Sequence, residues 1–273
     1  MSQLASSRVA LQARLEEALA ARTPAVVATV VKGEPLGAKL LLLPGELLGT
    51  LGSPELDTTV EPDARALLSA EKSETRAYPR PGSGDEVEVF IESYPPPPTL
   101  LIFGAVHVAQ PLSRFAKALG FDVIVSDARA KLATEERFPD ADRIIRGWPD
   151  ETLEQVEILP NTYVAILSHD PKFDEPALVG TLATPAAYIG AIGSRKTNED
   201  RRRRLAEAGM SPEQVLRMRA PIGLDIGAAT PEEMAISILG EIIALRRGRS
   251  GGSLTHAKGS IRGEQQAVPA PGA

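Results

Sequence analysis

"TLLIFGAVHVAQPLSRFAKALGFDVIVSDARA" occupies residues 99–130. The run "TLLIFG" (99–104) predicts a buried strand with a tight turn at Gly104, and the pattern that follows predicts a helix returning the chain to a second strand, "DVIVSD" (122–127), which Asp127 ends. Strand, glycine turn, helix and strand form the opening of a dinucleotide-binding unit. In such a unit the first Gly makes the turn. A small third residue, here Ala109, lets the helix pack on the strand. An acid roughly 20 residues further on, here Asp127, can take a ribose 2′-hydroxyl. The middle Gly is absent. Val106 stands there and puts a branched Cβ where a pyrophosphate would approach the backbone. Two readings stay open: a weakened or altered nucleotide site built from Gly104, Ala105, Val106 and His107, or a turn kept for packing. His107 opens the helix, and its plainer reading is a partly exposed first-turn residue.

The same rhythm continues. "DVIVSD", "RIIRG", "YVAILSH" and "AAYIGAIG" read as strands alternating with helix-like stretches, up to a last helix in "TPEEMAISILGEIIALRRG" with Thr230 as cap, Pro231 in its first turn and Glu233 completing a capping box. This alternation predicts an α/β, Rossmann-like parallel sheet with helices on both faces. Ligands of open parallel sheets sit beyond the carboxyl ends of the strands. Three further stretches fall there. "SHDPKFDEPAL" (168–178) brings His169, a general acid/base candidate, and Asp170; the alternative is that Asp170 and Asp174 only cap the next helix. "YIGAIGSRKTNEDRRRRLAEAG" (188–209) brings Gly193, Ser194, Arg195, Lys196 and Thr197, where amides, hydroxyls and two cations at a helix start suit an anion. Its glycine spacing is not that of a P-loop. Arg201–Arg204 read as a solvated helix face. "APIGLDIGAATPEE" (220–233) adds Asp225 between two glycines, and two such loops at neighbouring strand ends would frame a pocket.

Before Pro95–Pro98 the pattern differs. Leu4, Val9, Leu11, Leu15 and Leu19 recur near helical spacing over 4–22. "AVVATVV" (25–31) reads as a buried strand, "AKLLLLPGELLGTLG" (38–52) as a hairpin turning at Pro44-Gly45, and Ser53-Pro54 as a helix start. "TRAYPR" and "EVEVFIESY" read as two more strands. Four prolines cannot continue a ladder, so a smaller α+β domain is expected over 1–95 and the sheet domain over 96–247. The stretch 248–273, rich in Gly, Ser, Pro, Gln and charge, is expected to be a disordered tail; His256 falls within it.

The chain has 273 residues, enough for two modest cores. Its net charge of −6 gives no basis for generic binding to nucleic acid or anionic membrane. It has no cysteine, which excludes disulfides, thiolate catalysis and Cys-ligated metal clusters. The first residues lack the apolar core of a signal peptide, and no apolar run reaches a membrane span, so a cytoplasmic protein is expected.

Taken together, "LLIFGAVHVAQPL", "SDARA", "HDPKFDEPAL", "YIGAIGSRKT" and "APIGLDIGAATPEEMAISILGEI" resemble the xanthine dehydrogenase accessory factor family, the XdhC/CoxI family, over about residues 99–247. "VVATVVKGEPLGAKLLL" and "GELLGTLGSPELD" match it more loosely. The resemblance implies a protein that binds the molybdenum cofactor (molybdopterin) as cargo, protects it during sulfuration, and delivers it to a xanthine dehydrogenase-type molybdenum hydroxylase. It further implies contact with a sulfurase, a homo-oligomer such as a dimer, and a cofactor chaperone rather than an enzyme. Two departures stand out. The family's turn usually reads Gly-Ala-Gly-His-Val-Ala, with Gly where this chain has Val106. The N-terminal loops here are also shortened to "GEPLGAK" and "GTLGSPELD". The alternatives are an NAD(P)-dependent oxidoreductase using Gly104 and Asp127, and a bridging protein that holds no ligand.

Overall fold

The protein was analysed as a computed structural model that describes residues 3–80, 82 and 84–257. The described residues divide at Pro96/Pro97 into two compact units.

The first unit is an antiparallel five-stranded sheet between two helices. Helix α1 (Gln3–Ala20) precedes strands β1 (Ala25–Lys32), β2 (Lys39–Leu43) and β3 (Glu46–Thr50); helix α2 (Pro54–Ser69) and strands β4 (Glu74–Pro79) and β5 (Glu86–Tyr94) follow. The strand order is β3-β2-β1-β5-β4. Successive strand residues point to opposite faces. Val26, Ala28 and Val30 of β1, with Leu40 and Leu42 of β2, therefore pack under Leu56, Val60, Ala64 and Leu67 of α2. Ala25, Val27, Leu41 and Leu43 pack under Leu11, Leu15 and Ala18 of α1. Both faces are covered, so β1 and β2 read as unbroken apolar runs. Helix α1 does not bury its whole predicted apolar set: Val9 and Leu19 are exposed, Ala18 takes the inward position, and the side chain of Leu4 lies outside the description. The hairpin turns at Pro44-Gly45, pairing Leu43 with Glu46, and Ser53 caps α2 by accepting from the Leu56 amide at 3.2 Å.

The second unit is a Rossmann-type sheet. Its elements are β6 (Thr99–Phe103), α3 (Ala109–Ala118), β7 (Asp122–Ser126), β8 (Arg143–Ile145), α4 (Pro149–Leu153), β9 (Thr162–Ile166), α5 (Pro171–Leu182), β10 (Tyr188–Ala191), α6 (Arg195–Glu207), α7 (Pro212–Leu216), β11 (Met218–Arg219) and α8 (Pro231–Arg246). All pairings are parallel, in the order β11-β10-β9-β6-β7-β8. The chain winds outward from β6 to β8, crosses back, and winds outward again from β9. The crevice between β6 and β9 is thus the point where the winding direction reverses. Alternation again divides the core. Leu100, Ile102, Val123, Val125, Tyr163 and Ala165 face α3 and α8, while Leu101, Phe103, Ile124, Val164 and Ile166 face α5 and α6.

One local expectation is revised. No helix joins β7 to β8; turned chain fills that place, with Ala133 and Phe138 buried against the α3 side. Of the expected tail, residues 258–273 lie outside the described residues, while 248–257 carry a short 3-10 turn at Leu254–His256. No described helix is long and apolar enough to cross a membrane.

Candidate functional site

The carboxyl ends of β6, β7, β9 and β10 lie in register: Phe103 pairs with Ser126 and Ile166, and Ile166 with Ala191. The segments leaving these strands carry Gly104–His107, Asp127, His169, Asp170 and Gly193–Thr197, and Asp225 follows β11.

Gly104 leaves β6 with φ +102°, in the region open mainly to glycine. A Cβ there would lie 2.8 Å from the Ser168 amide nitrogen, so the β6 and β9 exits touch backbone to backbone. Gly104 N–H donates to Ser126 O at 2.8 Å, and Leu167 N–H to Phe103 O at 2.8 Å. The missing second glycine costs this turn no strain. Val106 does not have positive φ, its carbonyl accepts from Ala109, and its half-buried side chain packs on the α3-side core. His107 is exposed.

Asp127 is engaged within the turn. It is 2% exposed. Its Oδ2 accepts from the Ala105 amide at 2.7 Å and from Arg129 Nη2 at 2.7 Å, and its Oδ1 from the Arg129 amide and Nε at 2.8 and 2.9 Å. Burial alone would push the carboxyl up. The Arg129 side chain and the amides of Arg129 and Ala105 outweigh it and hold Asp127 below the usual carboxylate range. Spent in this way, the carboxylate holds the turn closed and offers a ribose hydroxyl no free oxygen. Asp127→Ala should cost about 1–3 kcal/mol in urea unfolding, because the Ala105 amide, on a fully buried residue, loses its acceptor. An unchanged midpoint would show that the turn does not depend on this clamp.

Beyond β9, Ser168 accepts from the Asp170 amide at 3.1 Å, and Asp170 caps α5 by accepting from Lys172 N–H at 3.0 Å. His169 is exposed beside it. Asp174 is no cap. It is 1% exposed and turns inward to Arg201, whose Nη2 donates to its Oδ2 at 2.8 Å.

The Gly193 loop is organised from the same guanidinium. Ser194 caps α6, accepting from Thr197 N–H at 3.1 Å and sharing a 2.8 Å hydroxyl contact with Thr197. Asn198 Nδ2 donates to Gly193 O at 3.1 Å; Arg201 Nη1 donates to Ile192 O at 2.9 Å and to Asn198 Oδ1. The run Arg201–Arg204 is therefore not one solvated face. Arg201 is 3% exposed, Arg202 donates to Met218 O and Ala220 O, Arg204 pairs with Glu175, and Arg203 is the exposed member. Asn198, Arg201 and Leu205 share the buried side of α6 at helical spacing. That spacing is present in the sequence, but two of the three residues are polar and give no apolar signal. Arg195 and Lys196 are exposed, with no partner among the described residues.

The loop after β11 is tied down at both ends. Ile222 N–H donates to Ala191 O, Gly223 N–H to Glu241, and Ser237 Oγ to Leu224 O at 2.6 Å. Further on, Glu233 accepts from the amides of Ala229 and Thr230. Between these anchors Asp225 is exposed and lacks a partner among the described residues. A cavity of about 270 Å³ opens here, lined by Gly193, Ile222, Leu224, Asp225 and, on α8, Met234 and Ile238. It joins the Gly193 and Asp225 loops, as their neighbouring strand ends predict; His107, Asp127 and His169 do not line it. A larger cavity, about 480 Å³, runs beside β11 from Ala186 and Leu216. Two of its guanidinium groups, Arg202 and Arg217, are spent on backbone carbonyls. It also reaches back to residues preceding β10 and β11, away from the edge where such sheets bind ligands.

A model of the XdhC Rossmann domain matches residues 100–242, and one of the XdhC and CoxI family matches residues 18–79. Among curated proteins, the chain is 33% identical over 170 residues to the uncharacterized protein YqeB of Escherichia coli K12, covering 62% of this chain and 31% of that protein. It is 33% identical over 159 residues to a Bacillus subtilis 168 protein named as a probable xanthine dehydrogenase subunit, covering 58% and 46%. It is 28% identical over 147 residues to the molybdenum cofactor insertion chaperone PaoD of E. coli K12, covering 54% and 40%. The matched segments thus span less than half of each relative. A crystal structure described as a xanthine dehydrogenase from Bacillus halodurans shares the fold, with TM-score 0.52 and 24% identity over 89% of this chain and 97% of that one.

Proposed function

Because the chain belongs to the XdhC and CoxI family, we propose that it is a maturation factor that takes the molybdenum cofactor as cargo and passes it to a xanthine dehydrogenase-type molybdenum hydroxylase. The names carried by two relatives, one a xanthine dehydrogenase component and the other a cofactor insertion chaperone, support this reading. The observation that carries it is the Gly193–Thr197 loop: a capped helix start whose Gly193 lines the 270 Å³ cavity and whose next cations, Arg195 and Lys196, are exposed and without a partner among the described residues. The cofactor's organic part ends in a phosphate, which suits helix amides and cations. Transfer of cargo needs no bond chemistry from this chain. His169 is the acid/base candidate at the edge. A sulfurase partner, a homodimer and a cytoplasmic setting belong to the same proposal. The dinucleotide oxidoreductase reading is disfavoured by the engaged Asp127.

The test is the ligand carried through gentle anaerobic purification, identified by mass spectrometry. Arg195→Ala with Lys196→Ala should lower cofactor retained per protein about tenfold or more, since charged hydrogen bonds contribute about 1.5–3 kcal/mol. The thermal midpoint should hold, and Arg203→Ala, also an exposed cation on α6, should retain cofactor normally. Equal loss in the Arg203 variant would assign retention to general positive charge. A wild-type protein that carries no molybdenum cofactor but still binds the target enzyme would favour the ligand-free bridging role.

A further inference from the structure

We propose that Asp225 reads the amino-pyrimidinone edge of the cargo's pterin, with the heterocycle seated in the cavity between the 220–229 loop and α8. This rests on the maturation reading above and adds the division of the cargo between two parts of one site. The cavity has apolar walls from Ile192, Ile222, Leu224, Met234 and Ile238, with Asp225 and Ser237 among its polar lining. Apolar walls with a few polar groups suit a flat neutral ring. Opposite charges belong to the two loops that line it. Arg195 and Lys196 follow Gly193, a lining residue, and favour the anionic end. Asp225, also a lining residue, repels it.

An ionised carboxylate only accepts hydrogen bonds. The ligand edge it recognises must therefore present donors, and two parallel N–H groups match its two oxygens as an arginine fork does. A pterin has that edge in its 2-amino group and N3–H. Asp225 is available for it: it is exposed, bonds no protein group among the described residues, and sits at the tip of a loop fixed on both sides by Glu241, Ser237 and Glu233. A fixed loop with a free carboxylate at its tip is a preorganised acceptor.

The experiment compares binding of pterin and of lumazine, its 2-oxo analogue, by fluorescence titration of wild type, Asp225→Asn, and the Arg195/Lys196 double alanine variant. Neither probe carries phosphate. Wild type should prefer pterin on the order of tenfold. Asp225→Asn, whose amide can donate to the 2-oxo group, should lose or reverse that preference with an unchanged thermal midpoint. The double variant should keep the preference. Equal affinity of wild type for both probes, no pterin binding up to millimolar concentration, or a preference that survives Asp225→Asn would each overturn the assignment. A wild type that retains molybdenum cofactor without preferring pterin defeats this inference alone. One that prefers pterin through Asp225 but never carries the cofactor defeats the maturation reading alone.

Discussion

Arg201→Ala is expected to cost on the order of 3–5 kcal/mol of unfolding free energy, the range for breaking a buried ion pair by removing one partner. Asp174 would be left 1% exposed with no cation beside it, and its Oδ1 is already without a hydrogen bond. Ile192 O and Asn198 Oδ1 would lose their guanidinium donor in the same step. These bonds join the start of α5 to the β10 exit, so the damage should reach the Gly193 loop as well as overall stability. Urea unfolding measures the first effect, and cofactor retained by the still-folded fraction measures the second. Asp174→Asn should be milder, because the amide can still accept from Arg201. A cost below about 1 kcal/mol for Arg201→Ala would mean that water replaces the guanidinium and the pair is not structural.

The same pair carries a pH signature. Burial pushes the Asp174 carboxyl up to about 6, against the pull of Arg201. In the unfolded chain an Asp titrates near 3.9. Between about pH 4 and 6 the folded protein therefore binds more protons at this site, and the contribution of Asp174 to stability is fully present below about 4 and lost as pH rises through 6. Asp127, held low by Arg129, acts in the opposite sense: its contribution is lost as pH falls. The difference between wild type and Asp174→Asn isolates the first. It should show wild-type stability declining from pH 4 to 6 relative to the variant, and a flat difference would place the Asp174 titration elsewhere.

The sheet was legible because both its faces are covered. Runs such as Leu100–Phe103 and Val123–Val125 are apolar throughout, Gly104 marks the end of the first, and the Thr230 capping box marks the start of the last helix. Strand β11 was not legible, because two residues in "LRMRA" make no apolar run. The face of α6 was misread for a related reason: hydropathy cannot distinguish a buried, fully bonded Arg201 from the solvated Arg203 two residues on. Asp127 shows the limit most clearly. Its position at the end of the second strand was correct, and Arg129 stood two residues away in the same motif. Sequence order does not say which way a carboxylate turns. Only the fold brings the Ala105 amide to Asp127 and closes the oxygens that a ribose would need.

Gly104→Ala should cost roughly 2–5 kcal/mol, with the damage concentrated at the β6/β9 crevice. Two effects combine. At φ +102° an L side chain meets its own backbone, which costs about 1–2 kcal/mol. The new Cβ would also lie 2.8 Å from Ser168 N and 3.3 Å from the Leu167 carbonyl carbon, an overpacking that adds about 1–3 kcal/mol. Neither wall can easily retreat: Leu167 N–H is bonded to Phe103 O, and Gly104 N–H to Ser126 O. Gly120→Ala supplies the control. Gly120 has φ +82° and no atom within 4 Å of the added carbon, so it carries the conformational cost without the clash. The excess of the Gly104 variant over the Gly120 variant in urea unfolding measures the backbone contact between the two exits. Because Ser168 holds the Asp170 amide, the His169–Asp170 segment should shift in the first variant and stay in place in the second, which amide hydrogen exchange can follow. Equal costs in the two variants would show that β9 yields freely, and the crevice would then be a pliable seam.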